Sequence, residues 1–107
     1  MLERFVWKGR VAPGKLEEYT KRHLEIWPEM ESLMRAAGMR NYSIWHCGDE
    51  LIGYYEFLGM DKKKAQYQSD VGQEILKRWN AHMRGLMKME QDAAGNVKTW
   101  SQVWMME

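Results

Sequence analysis

Residues 39–58, MRNYSIWHCGDELIGYYEFL, contain two strand-like runs joined by a tight turn. They predict one strand over residues 39–47, a turn at Gly48-Asp49 and a second strand over residues 50–58. Tyrosine, isoleucine, tryptophan and phenylalanine occur on both faces of the two arms, which is typical of a sheet that is covered on each side. We therefore expect an antiparallel hairpin whose two faces are both buried.

A strand and a helix precede this hairpin. Apolar and polar residues alternate over residues 2–11, and this alternation predicts a strand. Helical spacing of apolar residues then extends as far as Gly38, which provides the helix stop. Pro28 interrupts that spacing, so we expect the helix to kink or restart near Trp27.

The segments after the hairpin complete a regular order of elements. The sequence predicts a short helix over residues 62–70, a longer helix over residues 71–88, a loop over residues 91–98 and a closing strand over residues 99–106. The resulting order, β-α-β-β-α-β, is that of an α+β domain with the ferredoxin-like plan. With 107 residues, the chain is expected to form one domain over residues 1–107.

A four-stranded sheet of this plan carries helices on one face only. Aromatic residues on both faces of the strands would leave one apolar face in water unless a partner covers it. We therefore expect a homodimer in which two sheets pack face to face. Six tryptophans and five tyrosines exceed the needs of one core of this size, and such residues often line sugar sites or subunit interfaces.

Composition and charge exclude several classes of partner. Sixteen basic and fifteen acidic residues leave a net charge of +1, which argues against binding to nucleic acid or to an anionic membrane surface. Charges at Glu3 and Arg4 argue against a signal peptide, and no run of about 20 apolar residues could span a bilayer. Cys47 is the single cysteine, so an internal disulfide is impossible and a cytoplasmic location is the simplest prediction.

Residues 19–29, YTKRHLEIWPE, contain two side chains that could transfer protons. Tyr19 and His23 are four residues apart, so they lie one turn apart on the same face of the predicted helix. That face is apolar, and a histidine there either exchanges protons near neutral pH or serves as a hydrogen-bonded core residue. The fold could bring further aromatic side chains near this pair: Trp7, Tyr42, Tyr54 and Trp79.

The sequence gives little support for a metal site or a nucleophile. The three histidines, His23, His46 and His82, lie on different predicted elements, and none has the short spacing of a metal-ligand motif. Cys47 has no evident partner for nucleophilic catalysis, and the chain lacks a glycine-rich phosphate loop. We therefore expect no metal.

Three segments carry a likeness to a known family: residues 19–29 (YTKRHLEIWPE), 41–44 (NYSI) and 78–83 (RWNAHM). In their order and spacing they resemble the L-rhamnose mutarotases, and the likeness covers nearly the whole chain. The resemblance implies a dimeric α+β barrel or sandwich that interconverts the α and β anomers of L-rhamnose. It also implies that the reaction needs no cofactor.

The resemblance further implies roles for individual residues. His23 would be the proton donor, and the sugar would be bound by Tyr19, Tyr42 and Trp79. Asn80 stands where members of the family often have a second tryptophan, and we expect it at the sugar too. This difference bears on which sugar is bound.

Mutarotation needs one group to protonate the ring oxygen and another to take the proton of the anomeric hydroxyl, so that the open-chain aldehyde can reclose on its other face. Three alternatives stay open at this point. A mutarotase for another 6-deoxy sugar, such as L-fucose, would use the same groups. A cofactor-independent monooxygenase or haem-degrading enzyme could share the fold. A non-catalytic sugar-binding or dimerisation module would bind without accelerating anomer exchange.

Overall fold

The helices and strands follow the predicted α+β order. A computed structural model describes residues 2–106, except for the side chains of residues 60–62. Its elements are β1 (Glu3–Val11), α1 (Leu16–Leu24), α2 (Pro28–Ala36), β2 (Met39–Cys47), β3 (Glu50–Phe57), α3 (Met60–Tyr67), α4 (Asp70–Met83) and β4 (Met87–Met89). The strands form one antiparallel sheet in the order β2-β3-β1-β4. The ferredoxin-like βαββαβ plan is therefore confirmed, with a pair of helices at each α position.

The first helical segment is split at Pro28, as predicted. α1 ends at Leu24, and α2 begins with Pro28 in its first turn, where the missing backbone N–H has no consequence. Trp27 before it is extended, with φ −63° and ψ 134°, because the proline ring disfavours the helical region for the preceding residue. The break leaves α1 as a short separate helix that carries both Tyr19 and His23. No helix within residues 2–106 is long and apolar enough to cross a bilayer.

The core lies between the helices and one face of the sheet, which we call the inner face; the opposite side is the outer face. One buried cluster comprises Trp7, Val11, Tyr19, Leu51 and Leu86. A second cluster joins α2 to α4 and comprises Met30, Leu33 and Ile75. Alternate residues of each strand belong to the inner face, because successive side chains of a strand point to opposite sides.

The end of the last helix differs from its prediction. The helix expected over residues 71–88 ends at Met83, and β4 follows, paired with the end of β1. Gly85 lies between them with φ 81°, a conformation that favours glycine and ends the helix. Leu86 and Met87 recur at helical spacing in the sequence, yet both pack against the core after the helix has ended.

The closing strand predicted over residues 99–106 is wrong, since the structure assigns no strand to these residues. β4 already occupies the position beside β1 that this segment would need. The segment remains apolar and accessible, and Val103 is 98 % exposed. Its apolar side chains therefore find no place in the core of this chain.

A β-bulge in β2 lets Met39 and Tyr42 face the same side of the sheet. The register of β2 against β3 shifts between Arg40 and Ser43, so β2 contains an extra residue there. Asn41 in the bulge has φ 53°, a left-handed conformation that asparagine tolerates better than most residues. Tyr42 alternates with Ile44 and faces inward, where its ring meets that of Tyr55. The extra residue lets Met39, three positions earlier, face inward as well, which strict alternation from Tyr42 would not allow.

The outer face of the sheet presents apolar and aromatic side chains. It includes Val6, Trp45, Ile52 and Tyr54, which alternate with the inner residues of their strands. Trp45 is 67 % exposed and Ile52 is 44 % exposed. Neighbouring exposed apolar groups of this size often mark an interaction surface.

We expect Asn41→Val to destabilise the fold by about 1–3 kcal/mol relative to Asn41→Gly, because a β-branched residue is strained at positive φ and glycine is not. Both variants lose the 2.8 Å hydrogen bond from the Asn41 amide to Glu56, so their difference isolates the backbone effect. Urea unfolding of the two proteins measures it. Equal stabilities would show that the bulge does not depend on this conformation.

Candidate active site

A cavity of about 950 Å³ opens between the helices and the inner face of the sheet. Four of the five predicted site residues line it: Tyr19, His23, Tyr42 and Trp79. The fold draws them from three elements, with Tyr19 and His23 on α1, Tyr42 on β2 and Trp79 on α4. Pockets for small molecules typically measure about 300–1,000 Å³ and combine apolar walls with a few polar groups.

His23 presents a defined tautomer to this cavity. Its Nδ1 lies 3.1 Å from the carbonyl oxygen of Tyr19, and a carbonyl can only accept, so Nδ1 carries the proton of the neutral ring. Nε2 then keeps its lone pair. Burial lowers the pKa of His23 from its usual 6.5, and the backbone hydrogen bond opposes this shift to a smaller extent. At neutral pH the ring is therefore an uncharged proton acceptor.

Aromatic rings surround this imidazole. The Tyr19 ring lies 4.5 Å from that of His23 between centroids, and Trp79 meets His23 edge-on at 5.9 Å. Trp27, which the sequence did not mark as a site residue, meets Trp79 edge-on at 5.2 Å and His82 at 5.1 Å. Tyr19 and Trp79 give the helical side of the cavity an apolar wall around one basic nitrogen, and Trp27 supports Trp79 from behind this wall.

Tyr42 enters the cavity from the sheet. Its ring centroid lies 5.1 Å from that of Tyr55, and its hydroxyl accepts a 3.0 Å hydrogen bond from Nε1 of Trp7. Partial burial raises the pKa of Tyr42, although the bond from Trp7 opposes the rise. Burial also raises the pKa of Tyr19. Both phenols therefore stay protonated at neutral pH and act as hydrogen-bonding hydroxyls.

Arg22 ties the two helices of the site together. Its guanidinium donates to the backbone carbonyl of His82 at the end of α4 and to the carboxylate of Glu18 on its own helix. The link fixes α1, which carries His23, against α4, which carries Trp79. The spacing of Glu18 and Arg22 is visible in the sequence, but the contact with α4 depends on the tertiary fold.

Two candidate residues lie elsewhere. Asn80 is exposed and lines a separate surface depression on α4, because neighbouring residues of a helix point about 100° apart. The structure therefore does not bring Asn80 to the cavity that Trp79 lines. Tyr54 lies on the outer face, where its hydroxyl donates to Glu56 over 2.6 Å. Its neighbour Tyr55 lines the cavity instead.

Comparison with known proteins identifies the family of this chain. A family model described as L-rhamnose mutarotase matches residues 4–106. The chain belongs to the L-rhamnose mutarotase family. An L-rhamnose mutarotase of Jannaschia sp. (strain CCS1) is 38 % identical over 93 residues, which span 85 % of this chain and 86 % of that one.

Solved structures share the fold of this member of the L-rhamnose mutarotase family. An L-rhamnose mutarotase from Formosa agariphila superposes with a TM-score of 0.72 at 24 % identity, over 98 % of this chain and 99 % of that one. A dimeric ferredoxin-like protein from an uncultured marine organism superposes with a TM-score of 0.61 at 14 % identity, over 100 % of this chain and 99 % of that one. Because the sequence identities are only 24 % and 14 %, these two superpositions show a shared fold only.

Proposed function

We propose that this chain is an L-rhamnose mutarotase, an isomerase that interconverts the α and β anomers of the sugar. The observation that carries the proposal is the His23 imidazole, hydrogen-bonded at Nδ1 and lining an aromatic cavity together with Tyr19 and Tyr42. Membership of the family favours this reaction over the monooxygenase and haem-degrading alternatives. The chain would act as one domain, without a cofactor, and its cytoplasmic location stays a prediction.

His23 acts first as a base in this mechanism. Its Nε2 takes the proton of the anomeric hydroxyl while a second group protonates the ring oxygen, and the C1–O5 bond breaks with its electrons going to O5. The open-chain aldehyde then turns about its C1–C2 bond. On reclosure, O5 adds to the other face of C1 and returns its proton, and the imidazolium returns its proton to O1. His23 is thus the proton donor in the closing step, as the family resemblance implies.

Aromatic side chains would hold the sugar beside this imidazole. Trp79, edge-on to both His23 and Trp27, offers an apolar wall for the C–H bonds and the methyl group of a 6-deoxy sugar. The hydroxyls of Tyr19 and Tyr42 would form hydrogen bonds with oxygen atoms of the sugar from the helical and the sheet side. Contacts from two layers would orient C1 toward His23.

We expect His23→Asn to fold but to lose at least about 100-fold in anomer exchange, because an amide cannot shuttle a proton. Saturation-transfer NMR between the anomeric protons of L-rhamnose measures this rate. His46→Asn is the control for a second histidine that lines the same cavity, with its Nδ1 3.1 Å from the backbone oxygen of Gly48 at the hairpin turn. It should exchange normally, because the mechanism assigns the proton transfer to His23 and not to His46. Wild-type rates in His23→Asn would overturn the proposal. If the wild type exchanges the anomers of L-fucose faster than those of L-rhamnose, the proposed substrate would be L-fucose instead.

We also propose that two copies associate through the outer faces of their sheets. Trp45 and Ile52 are exposed there, and the C-terminal segment adds Val103, Trp104 and Met106 as further accessible apolar groups. A second copy would supply the same apolar surface in return, as a two-fold axis requires. The structurally similar ferredoxin-like protein is dimeric, which supports association of two copies.

Light scattering at micromolar concentration is expected to give the mass of two chains. Ile52→Lys should shift the protein toward monomers, because an unpaired charge is costly in an apolar interface. Val71→Lys is the matched control, since Val71 is 71 % exposed on α4, away from the sheet. A monomeric wild type, or an Ile52→Lys protein that stays dimeric, would contradict this association.

A further inference from the structure

The hydroxyl of Tyr42 is held by a residue outside the set that the family resemblance names. Nε1 of Trp7 donates to it over 3.0 Å, and the Trp7 side chain is buried. Trp7 lies on β1 and Tyr42 on β2, with β3 between them. The hydrogen bond therefore crosses the inner face above β3 and joins two strands that are not neighbours.

Two glycines leave room for the indole in this position. Gly53 is the cross-strand partner of Trp7, and a Cβ at Gly53 would lie only 2.0 Å from Cε2 and 2.1 Å from Nε1 of the indole. A Cβ at Gly9 would lie 3.3 Å from Cζ3 of the same ring. The indole ring therefore packs directly on the sheet backbone, and this packing fixes the direction of its N–H.

The hydrogen bond leaves the proton of Tyr42 available to the cavity. The indole N–H occupies one lone pair of the phenol oxygen, so the O–H of Tyr42 can donate to a ligand in the cavity it lines. Two of the other phenols that line the cavity are placed differently. Tyr67 donates its proton to Sδ of Met39 over 2.8 Å, and Tyr19 is buried on the same helix as His23.

We propose that Trp7 is a positioning residue and that the Tyr42 hydroxyl it holds exchanges a proton with the ring oxygen of the sugar. This inference rests on the mutarotase function proposed above. As the C1–O5 bond breaks, Tyr42 gives its proton to O5 while Nε2 of His23 takes the proton of the anomeric hydroxyl. Both transfers reverse on reclosure. The bond from Trp7 stabilises the phenolate that exists between the two steps.

Trp7→Phe removes the donor and keeps an aromatic ring in the core. We expect kcat for L-rhamnose exchange to fall about 3- to 10-fold with little change in KM, because a hydrogen bond to the charged phenolate is stronger than one to the neutral phenol by about that factor. In a Tyr42→Phe background the same substitution should change kcat less than about twofold, because no hydroxyl remains to be positioned. Trp100→Phe, which changes a 45 % exposed indole that does not line the cavity, should leave kcat unchanged.

An equal loss from Trp7→Phe in both backgrounds, or no loss in either, would overturn the inference. If the Trp7→Phe protein does not fold, the hydrogen bond can be tested instead by NMR of the Tyr42→Phe protein. Its Trp7 Nε1–H resonance should shift and exchange faster with solvent, and an unchanged resonance would refute the positioning bond. A wild-type protein without anomer exchange would refute the mutarotase function itself, whereas failure of the Trp7 inference alone leaves wild-type exchange intact.

Discussion

The packing of the Trp7 indole against Gly53 supports both the core and the site. Any side chain at position 53 would overlap this ring, since a Cβ there would lie 2.0 Å from Cε2. The same indole packs in the buried cluster that contains Leu51 and Leu86, and its N–H holds the Tyr42 hydroxyl. Truncation of a buried aromatic ring typically costs about 3–5 kcal/mol, a large share of the roughly 5–15 kcal/mol that stabilises a domain. One ring therefore links the stability of the sheet to the geometry of the cavity.

The helical side of the cavity depends on a different set of contacts. α1 has nine residues, and a helix of that length gains little stability from its own sequence. Arg22 ties it to the end of α4, and His23 meets Trp79 across this junction. His23 and Tyr42 thus line the cavity from two separately supported layers, which suits the proposed reaction, since it needs a base and an acid on either side of one carbon atom.

The sequence predicted the topology because hairpin turns, prolines and helix stops are local signals; the break at Pro28 lies where it was expected. The end of α4 was wrong because helical spacing continues past Gly85, and only strand pairing with β1 shows that the helix has ended. Alternation with Ile44 accounts for the inward direction of Tyr42, but it does not reveal the bulge at Asn41, which puts Met39 on the same face. Asn80 was placed at the sugar by resemblance, but its position on the helix turns it away from the cavity.

A crystal structure of the His23→Asn protein with L-rhamnose would test the mechanism most directly. The mechanism predicts a pyranose in the cavity lined by Tyr42 and Trp79, with the anomeric hydroxyl directed toward residue 23. The ring oxygen should lie within hydrogen-bonding distance of the Tyr42 hydroxyl, about 2.5–3.0 Å. A sugar bound in the depression beside Asn80, or one whose anomeric carbon faces away from residue 23, would contradict it.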